Sequence, residues 1–442
     1  MKRCILLISI LLICLQDMAQ VREFQINAYV NSIIRSVDDE NVLIYTQPTV
    51  DTGCFILYKK SDNTALAFNV PNKWEVHDVR IYNGVDAYFC GTNGSSGLIG
   101  MFDISQMLSG TVSLNYAIIN NWSQIGYVLP TDLKRLDLFE DNGVVNMAMV
   151  GTSLWYYWSQ VPNTMVMSAY LSGTTWHWRG YPNKCAFMKF TDLACLDEII
   201  VTVGTGKNGD SCYMKTFEKV QNFPGYPIDI GSIIGVTYYN PKGDVLVTHK
   251  DGNIAVLAQF NGGINGIGTA FHEVKFSPLT GLPSTTLIDT WRSTPPSTQP
   301  FGAMWRMLEL NWDVDKAWLL QKAEYNTMSV SGIADWLLKV PVGAPVVMAD
   351  LYNPHMCNAQ SMDLASGKHF PWLSGENTRL TVYEPLWQSS EGGCYYINQF
   401  AFNYDSAPWE TLIYDDDVDM KSEQNTTEDL PVFEVEVILT CE

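Results

Sequence analysis

The chain has 442 residues, of which 47% are hydrophobic, 12% aromatic and 17% charged. Rich aromatic content with sparse charge excludes a disordered chain, and the absence of a glycine period or Ala/Glu/Lys heptads excludes collagen and coiled coil. The formal net charge of −20 repels phosphate backbones and anionic lipid, which argues against a nucleic-acid partner.

The N-terminus has the features of a secretory signal. Lys2 and Arg3 precede an apolar run from Ile5 to Leu15 that is too short to span a bilayer. Cleavage after Ala19 leaves residues 20–442 as one exported domain and, by removing Lys2, Arg3 and Asp17, takes the net charge to −21. No later stretch reaches transmembrane length, so the expected product is an exported monomer in the periplasm, at the cell surface or outside the cell. Eight cysteines remain in it, none in a CxxC pair, which removes zinc-ribbon and thioredoxin spacings. Cys195 and Cys212 are the pair most easily bridged, if the hairpin between them sets them opposite each other.

From Val42 onward the chain spells short strands joined by tight turns. Val79 to Tyr82 leads through Asn83-Gly84 into Ala87 to Thr92, then through a Gly/Ser turn into Leu98 to Phe102. Asn-Gly between apolar runs is a strong hairpin signal, because both residues tolerate positive φ. The pattern returns at Asn142-Gly143, at Gly204 to Asp210, at Asp251-Gly252, at Asp313 to Lys316 and at Gly392-Gly393. Second-strand ends are expected near Thr46, Thr92, Thr152, Thr205, Thr248, Leu320 and Gln388. The repeat is in the range that implies solenoids, propellers or arrays. Insertions are expected at 283–300 and 350–375, and a ring-closing strand near 431–439 pairs with an N-terminal strand at Phe24 to Val30.

Units of about four short antiparallel strands are propeller blades. A blade covered on both faces needs no strict alternation, and its strands read as apolar runs such as Ala87 to Cys90, Ile199 to Val203 and Val245 to Val247. Aromatic side chains fill the wedge between blades. Over nearly the whole mature chain this hairpin pattern resembles the exported seven-bladed β-propellers of bacteria. The resemblance implies an all-β fold of seven four-stranded blades. It carries no Trp-Asp repeat, no kelch glycine pair and no active-site motif. The rival architecture is two β-domains divided near Gly262-Gly263.

Chemistry is harder to place. Gly204 to Gly209 matches GxGxxG, but a strand rather than a helix is expected after it, so it reads as a hairpin loop. Asp415, Asp417 and Asp419 alternate as in calcium loops, yet Met420 stands where the sharp turn needs glycine, and the run reads as a solvated linker followed by a polar, mobile stretch from Lys421 to Asp429. Trp155, Tyr156, Tyr157, Trp158, Trp176 and Trp178 are the candidate ligand-binding residues, able to stack on sugar rings or to fill an interblade wedge. The six histidines show neither metal spacing nor a triad motif, and no cofactor is implied. Asp78, Asp86, Asp137 and Glu198 fall at strand ends or turns, where ring-face residues would sit. The reading is a non-catalytic binding propeller for a protein or glycan partner. Its alternatives are a carbohydrate-active enzyme, a glycoside hydrolase or polysaccharide lyase, with its site at the channel mouth, and a structural subunit of a cell-envelope assembly.

Overall fold

The computed structural model describes residues 21–26, 32–38, 40–49, 52–59, 64–120, 128–155, 163–179, 183–185, 188–196, 199–206, 212–218, 228–229, 245–261, 267–277, 283–293, 304–313, 316–325, 328–337, 349–350, 359–364, 371–376, 380–385, 394–396, 411–415, 418–423 and 433–436. The signal at 1–19 lies outside them.

The protein is an all-β propeller built from antiparallel meanders. Sheet one runs Ser32–Ser36, Asn41–Thr49, Thr52–Lys59 and Thr64–Asn69, each strand bonded to the next. Sheet two runs Glu75–Tyr82, Asp86–Thr92, Gly97–Asp103 and Asn115–Ile119. Sheet three begins with Val128–Asp141, Val144–Trp155, Asn163–Ser172 and Thr175–Trp178. Sheet four begins with Met188–Leu196, Ile199–Gly206 and Cys212–Glu218. Sheet five is Val245–Lys250, Asn253–Asn261, Ile267–Phe276 and Pro283–Ser293. Sheet six begins with Met304–Asp313, Lys316–Tyr325 and Met328–Leu337.

Sheet seven is assembled from both ends of the chain. Ala359–Leu364, Pro371–Glu376 and Leu380–Pro385 form its meander. Val21–Ile26 adds antiparallel to the last of these, and Phe433–Glu436 adds parallel to Val21–Ile26. Such pairing covers strand edges that would otherwise offer free N–H and C=O groups. A further three-stranded sheet comprises Cys394–Tyr396, Thr411–Asp415 and Val418–Glu423. The first strands of successive sheets touch in order, from sheet one to sheet seven, and the first strand of sheet seven touches that of sheet one.

Local chemistry explains the turns. The two-residue loops Asn142-Gly143 and Asp251-Gly252 have positive φ at both positions, as a primed hairpin turn requires. Burial of both faces of a sheet explains the apolar runs. In sheet two Ala87 and Phe89 pack toward sheet one, while Tyr88 and Cys90 pack toward sheet three. Aromatic rings fill the wedge between sheets one and two, where Phe55 lies 4.9 Å from Phe102 and 5.6 Å from Phe89. The next interface is filled instead by the flexible chains of Met147, Met149, Met165 and Met167.

Several expectations are corrected. Thr248 lies in the first strand of sheet five, not at the end of a second strand, because Asn253–Asn261 follows it across the Asp251-Gly252 turn. The stretches expected as insertions carry strands of sheets five and seven. Cys195 and Cys212 do not bridge each other: they lie on opposite faces of sheet four, Cys195 packed toward sheet three and Cys212 toward sheet five, with the second strand between them. Cys54 is disulfide-bonded. The acidic run at Asp415 is no linker: Asp415 pairs with Val418 across a hairpin, and Lys421 belongs to a strand. Gln388, Asp417 and residues 424–432 lie outside the described residues.

Candidate binding site at the axial cavity

The first strand of each sheet carries a three-residue unit. Ladder bonding is interrupted by a bulge just before Asp78, Arg135, Asp192, Glu309 and Ser361. Each of these is followed by an apolar residue and then by a third residue that reaches the axis. The units are Asp78-Val79-Arg80, Arg135-Leu136-Asp137, Asp192-Leu193-Ala194, Glu309-Leu310-Asn311 and Ser361-Met362-Asp363, with Ile33-Ile34-Arg35 and Leu246-Val247-Thr248 at the matching positions. All seven third residues line one cavity of about 270 Å³, together with His249 and Ser36.

First strands of neighbouring sheets lack a full ladder between them, and side chains supply acceptors for their N–H groups. Asp78 takes its own neighbour Val79 N–H on Oδ1 at 2.9 Å and Leu136 N–H of sheet three on Oδ2 at 3.0 Å. Asp192 repeats this with Leu193 N–H at 2.9 Å and Val247 N–H of sheet five at 3.1 Å. Asp137 accepts Cys195 N–H at 2.7 Å, Ser361 Oγ accepts Ile34 N–H at 3.0 Å and Asp363 accepts Ser36 N–H at 2.7 Å. An unpaired buried N–H would cost about 1–3 kcal/mol.

At the cavity wall, charges link first strands of different sheets. Arg35 donates from Nε to Val79 O at 2.7 Å and from Nη1 to Ile34 O at 2.7 Å and Ser361 Oγ at 3.1 Å. Its Nη2 reaches Asp78 Oδ1 at 2.7 Å and Glu309 Oε1 at 3.0 Å. Arg135 Nη1 stands 3.7 Å from the same Glu309 oxygen. Burial opposes the charge on Arg35, but Glu309, Asp78 and Asp363 outweigh it and raise its pKa. Burial likewise pushes the Asp78 carboxyl up, and Arg80, Arg35 and Arg135 overcome it, holding Asp78 below the usual range.

The two cavity carboxylates are driven apart. Burial raises Asp137, yet the hydrogen bond and charge of His249, with Arg80 and the Cys195 N–H, hold it low; His249 Nε2 is 2.9 Å from Asp137 Oδ2. At Asp363 burial prevails over Arg35 and the Ser36 N–H, and the pKa is raised. Asp192, under the cavity, is pushed up to about 6 by burial despite Arg135 and the Val247 N–H.

Trp176 and Trp178 are placed elsewhere. Trp176 is 8% exposed in the interface with sheet two and donates its indole N–H to Asn115 O at 3.2 Å, while Trp178 is partly buried against the same cluster. That burial removes Trp176 from sugar stacking. Trp155 ends a strand opposite Val128, and Tyr156, Tyr157 and Trp158 lie outside the described residues, as does Glu198. Asp78 and Asp137 lie inside the first strands of sheets two and three rather than at strand ends or turns, Asp137 lining the cavity and Asp78 bonded to Arg35; Asp86 begins the second strand of sheet two. Gly204 and Gly206 sit in a strand that pairs directly with Cys212–Glu218, so the glycine motif is a hairpin. Arg35, Arg80, Glu309 and Asp363 were not anticipated. The signal that could have found them is the recurring polar–apolar–polar triplet inside otherwise apolar strands. Among the described residues no group of His, Cys, Asp or Glu is arranged to hold a metal, and no helix is long and apolar enough to cross a membrane.

No family model matches the chain, and neither does any curated protein. Solved structures with a similar fold include the Dos1 propeller, 9% identical with a TM-score of 0.45, covering 77% of this chain and 75% of that one. The Nup133 β-propeller domain of Vanderwaltozyma polyspora is 10% identical with a TM-score of 0.41, covering 82% and 93%. An oligogalacturonate lyase in complex with manganese is 9% identical with a TM-score of 0.45, covering 83% and 90%.

Proposed function

We propose that the chain is an exported, seven-bladed binding propeller that holds part of a glycan in its axial cavity. The cavity carries the reading: it is lined from the first strands of seven sheets, and Arg35, Arg80, Asp137, Asp363, Thr248 and Asn311 bring the donors and acceptors that a sugar's hydroxyls need. Binding without catalysis is favoured because both cavity carboxylates are already committed to backbone N–H groups of the adjacent strand. A glycan is favoured over a protein because, among the described residues, the exposed large apolar side chains are scattered away from the cavity lining: Leu66 and Tyr116 in outer strands of sheets one and two, Val85 in a turn and Leu108 in the short helix Ser105–Ser109. The disulfide at Cys54 fits an oxidising compartment, as does the N-terminal signal.

One observation supports a catalytic second reading. Asp137 and Asp363 share a cavity with their pKa values moved in opposite directions, the pattern of a base and an acid. A panel of soluble oligosaccharides separates the two. Binding alone predicts a raised unfolding midpoint with no change in the sugar. Cleavage of the sugar that disappears in Asp363→Asn would replace the binding reading with the catalytic one.

A further inference from the structure

We propose that the cavity contains a carboxylate subsite at Arg80, so that the sugar unit it takes is an acidic one, a monosaccharide-sized polyhydroxy carboxylate. This rests on the axial cavity being a glycan site and adds the class of its ligand.

The arginines near the axis are engaged to different degrees. Arg35 has donors engaged by two backbone carbonyls, Ser361, Asp78 and Glu309. Arg80 is in a different position. Its ion pair among the described residues is a long one, 3.4 Å from Nη1 to Asp78 Oδ1. That oxygen already receives Arg35 Nη2 at 2.7 Å and Val79 N–H at 2.9 Å. The other oxygen of Asp78 is taken by Leu136 N–H. Arg80 shares Asp78 at the longest of these contacts, and its side chain, 33% exposed, lines the cavity. A guanidinium presents five N–H donors in a planar fork that matches a carboxylate in bidentate fashion.

The rest of the lining suits the remainder of such a ligand. Asp363 uses one oxygen for Ser36 N–H, and Asn311 and Thr248 line the same cavity with amide and hydroxyl groups for sugar hydroxyls. At about 270 Å³ the cavity is near the small end of ligand pockets, roughly 300–1,000 Å³, which suits one sugar ring rather than a chain.

The test is calorimetric titration of the full mature chain with D-glucuronate and D-galacturonate, against D-glucose and D-galactose at matched ionic strength. The expected result is measurable affinity for at least one acid and about 10- to 100-fold weaker binding of its neutral counterpart. Arg80→Gln is expected to abolish that preference and Arg80→Lys to keep part of it. Equal binding of acid and neutral sugars overturns the carboxylate subsite while leaving the glycan reading intact. An acid preference that survives Arg80→Gln overturns the assignment to Arg80. Binding of neither acid overturns the subsite, and the oligosaccharide panel then decides separately whether the cavity takes glycans. Should Arg80→Gln fail to fold, the acid-to-neutral comparison on the native chain still decides the ligand class.

Discussion

His272 is a histidine in the wrong solvent. It is 2% exposed, and neither ring nitrogen has a hydrogen-bond partner among the described residues. Its cross-strand neighbour is Val256, which belongs to the apolar interface of sheets four and five. Burial lowers its pKa to about 4 from an ordinary 6.5. The unfolded chain therefore takes up a proton that the folded chain refuses, and stability falls as pH drops from about 6.5 to about 4. Replacing the ring with a similar apolar volume removes both the uncharged penalty and the titration. His272→Leu is expected to raise neutral-pH stability by about 1–2 kcal/mol and to flatten this segment of the pH profile, read by urea unfolding at pH 7 and pH 5. If His272→Leu is instead destabilising at both values, an unrecognised partner holds the ring. Alternation along Phe271-His272-Glu273-Val274 already places His272 on the face of Val274, so its side of the strand was legible. Its lack of a partner was not, because that depends on what the adjoining sheet presents.

Within an element, the bulge and the glycine opposite it form one device. Gly91, Gly151 and Gly204 pair with Val76, Leu133 and Phe190, the residues just before the bulges. A Cβ on any of the three would overlap a carbonyl oxygen of the first strand, that of Glu75, Asp132 or Lys189. The bulge turns the following polar residue toward the next sheet, and glycine makes room for the displaced backbone. Gly151→Ala is therefore expected to destabilise by about 2–3 kcal/mol. Gly143→Ala meets no neighbouring atom and loses only by its positive φ, about 1 kcal/mol. Thermal unfolding of the two variants checks the order, and an equal or reversed order would show that the first strand yields to the methyl group. The recurring Gly-Thr at second-strand ends was visible in the sequence, but the bulge facing it was not, since hairpin signals locate turns without giving register. The same gap explains Thr248: the Asp251-Gly252 turn after it was legible, while its place in a first strand depended on the count of strands in its sheet.

Across the whole molecule, the low charge fraction conceals a concentration of charge at the axis. Arg35 of sheet one joins Asp78 of sheet two, Glu309 of sheet six and Ser361 of sheet seven, partners 43, 274 and 326 residues away in sequence. No local pattern encodes such contacts; they arise because the ends of the chain are brought round to the same axis. The hairpins, apolar runs and edge-covering termini were legible because each follows from local periodicity or turn chemistry. The axial site was not, because its members come together only once the sheets have been arranged. A buried guanidinium with two carboxylates also makes the arrangement sensitive to loss of one member. Arg35→Met would leave Asp78 and Glu309 without their main shared counter-ion, and breaking a buried pair in this way costs about 3–5 kcal/mol. Lys134, paired with Asp132 at 2.6 Å on the surface, makes the contrast, since an exposed pair contributes about 0–1 kcal/mol. Urea unfolding followed by tryptophan fluorescence should put the Arg35→Met midpoint far below that of Lys134→Met. Glu309→Gln, which keeps an acceptor for Arg35, should fall between them. If Arg35→Met unfolds no earlier than Lys134→Met, the axial charges do not hold the sheets together, and packing between neighbouring sheets alone sustains the propeller.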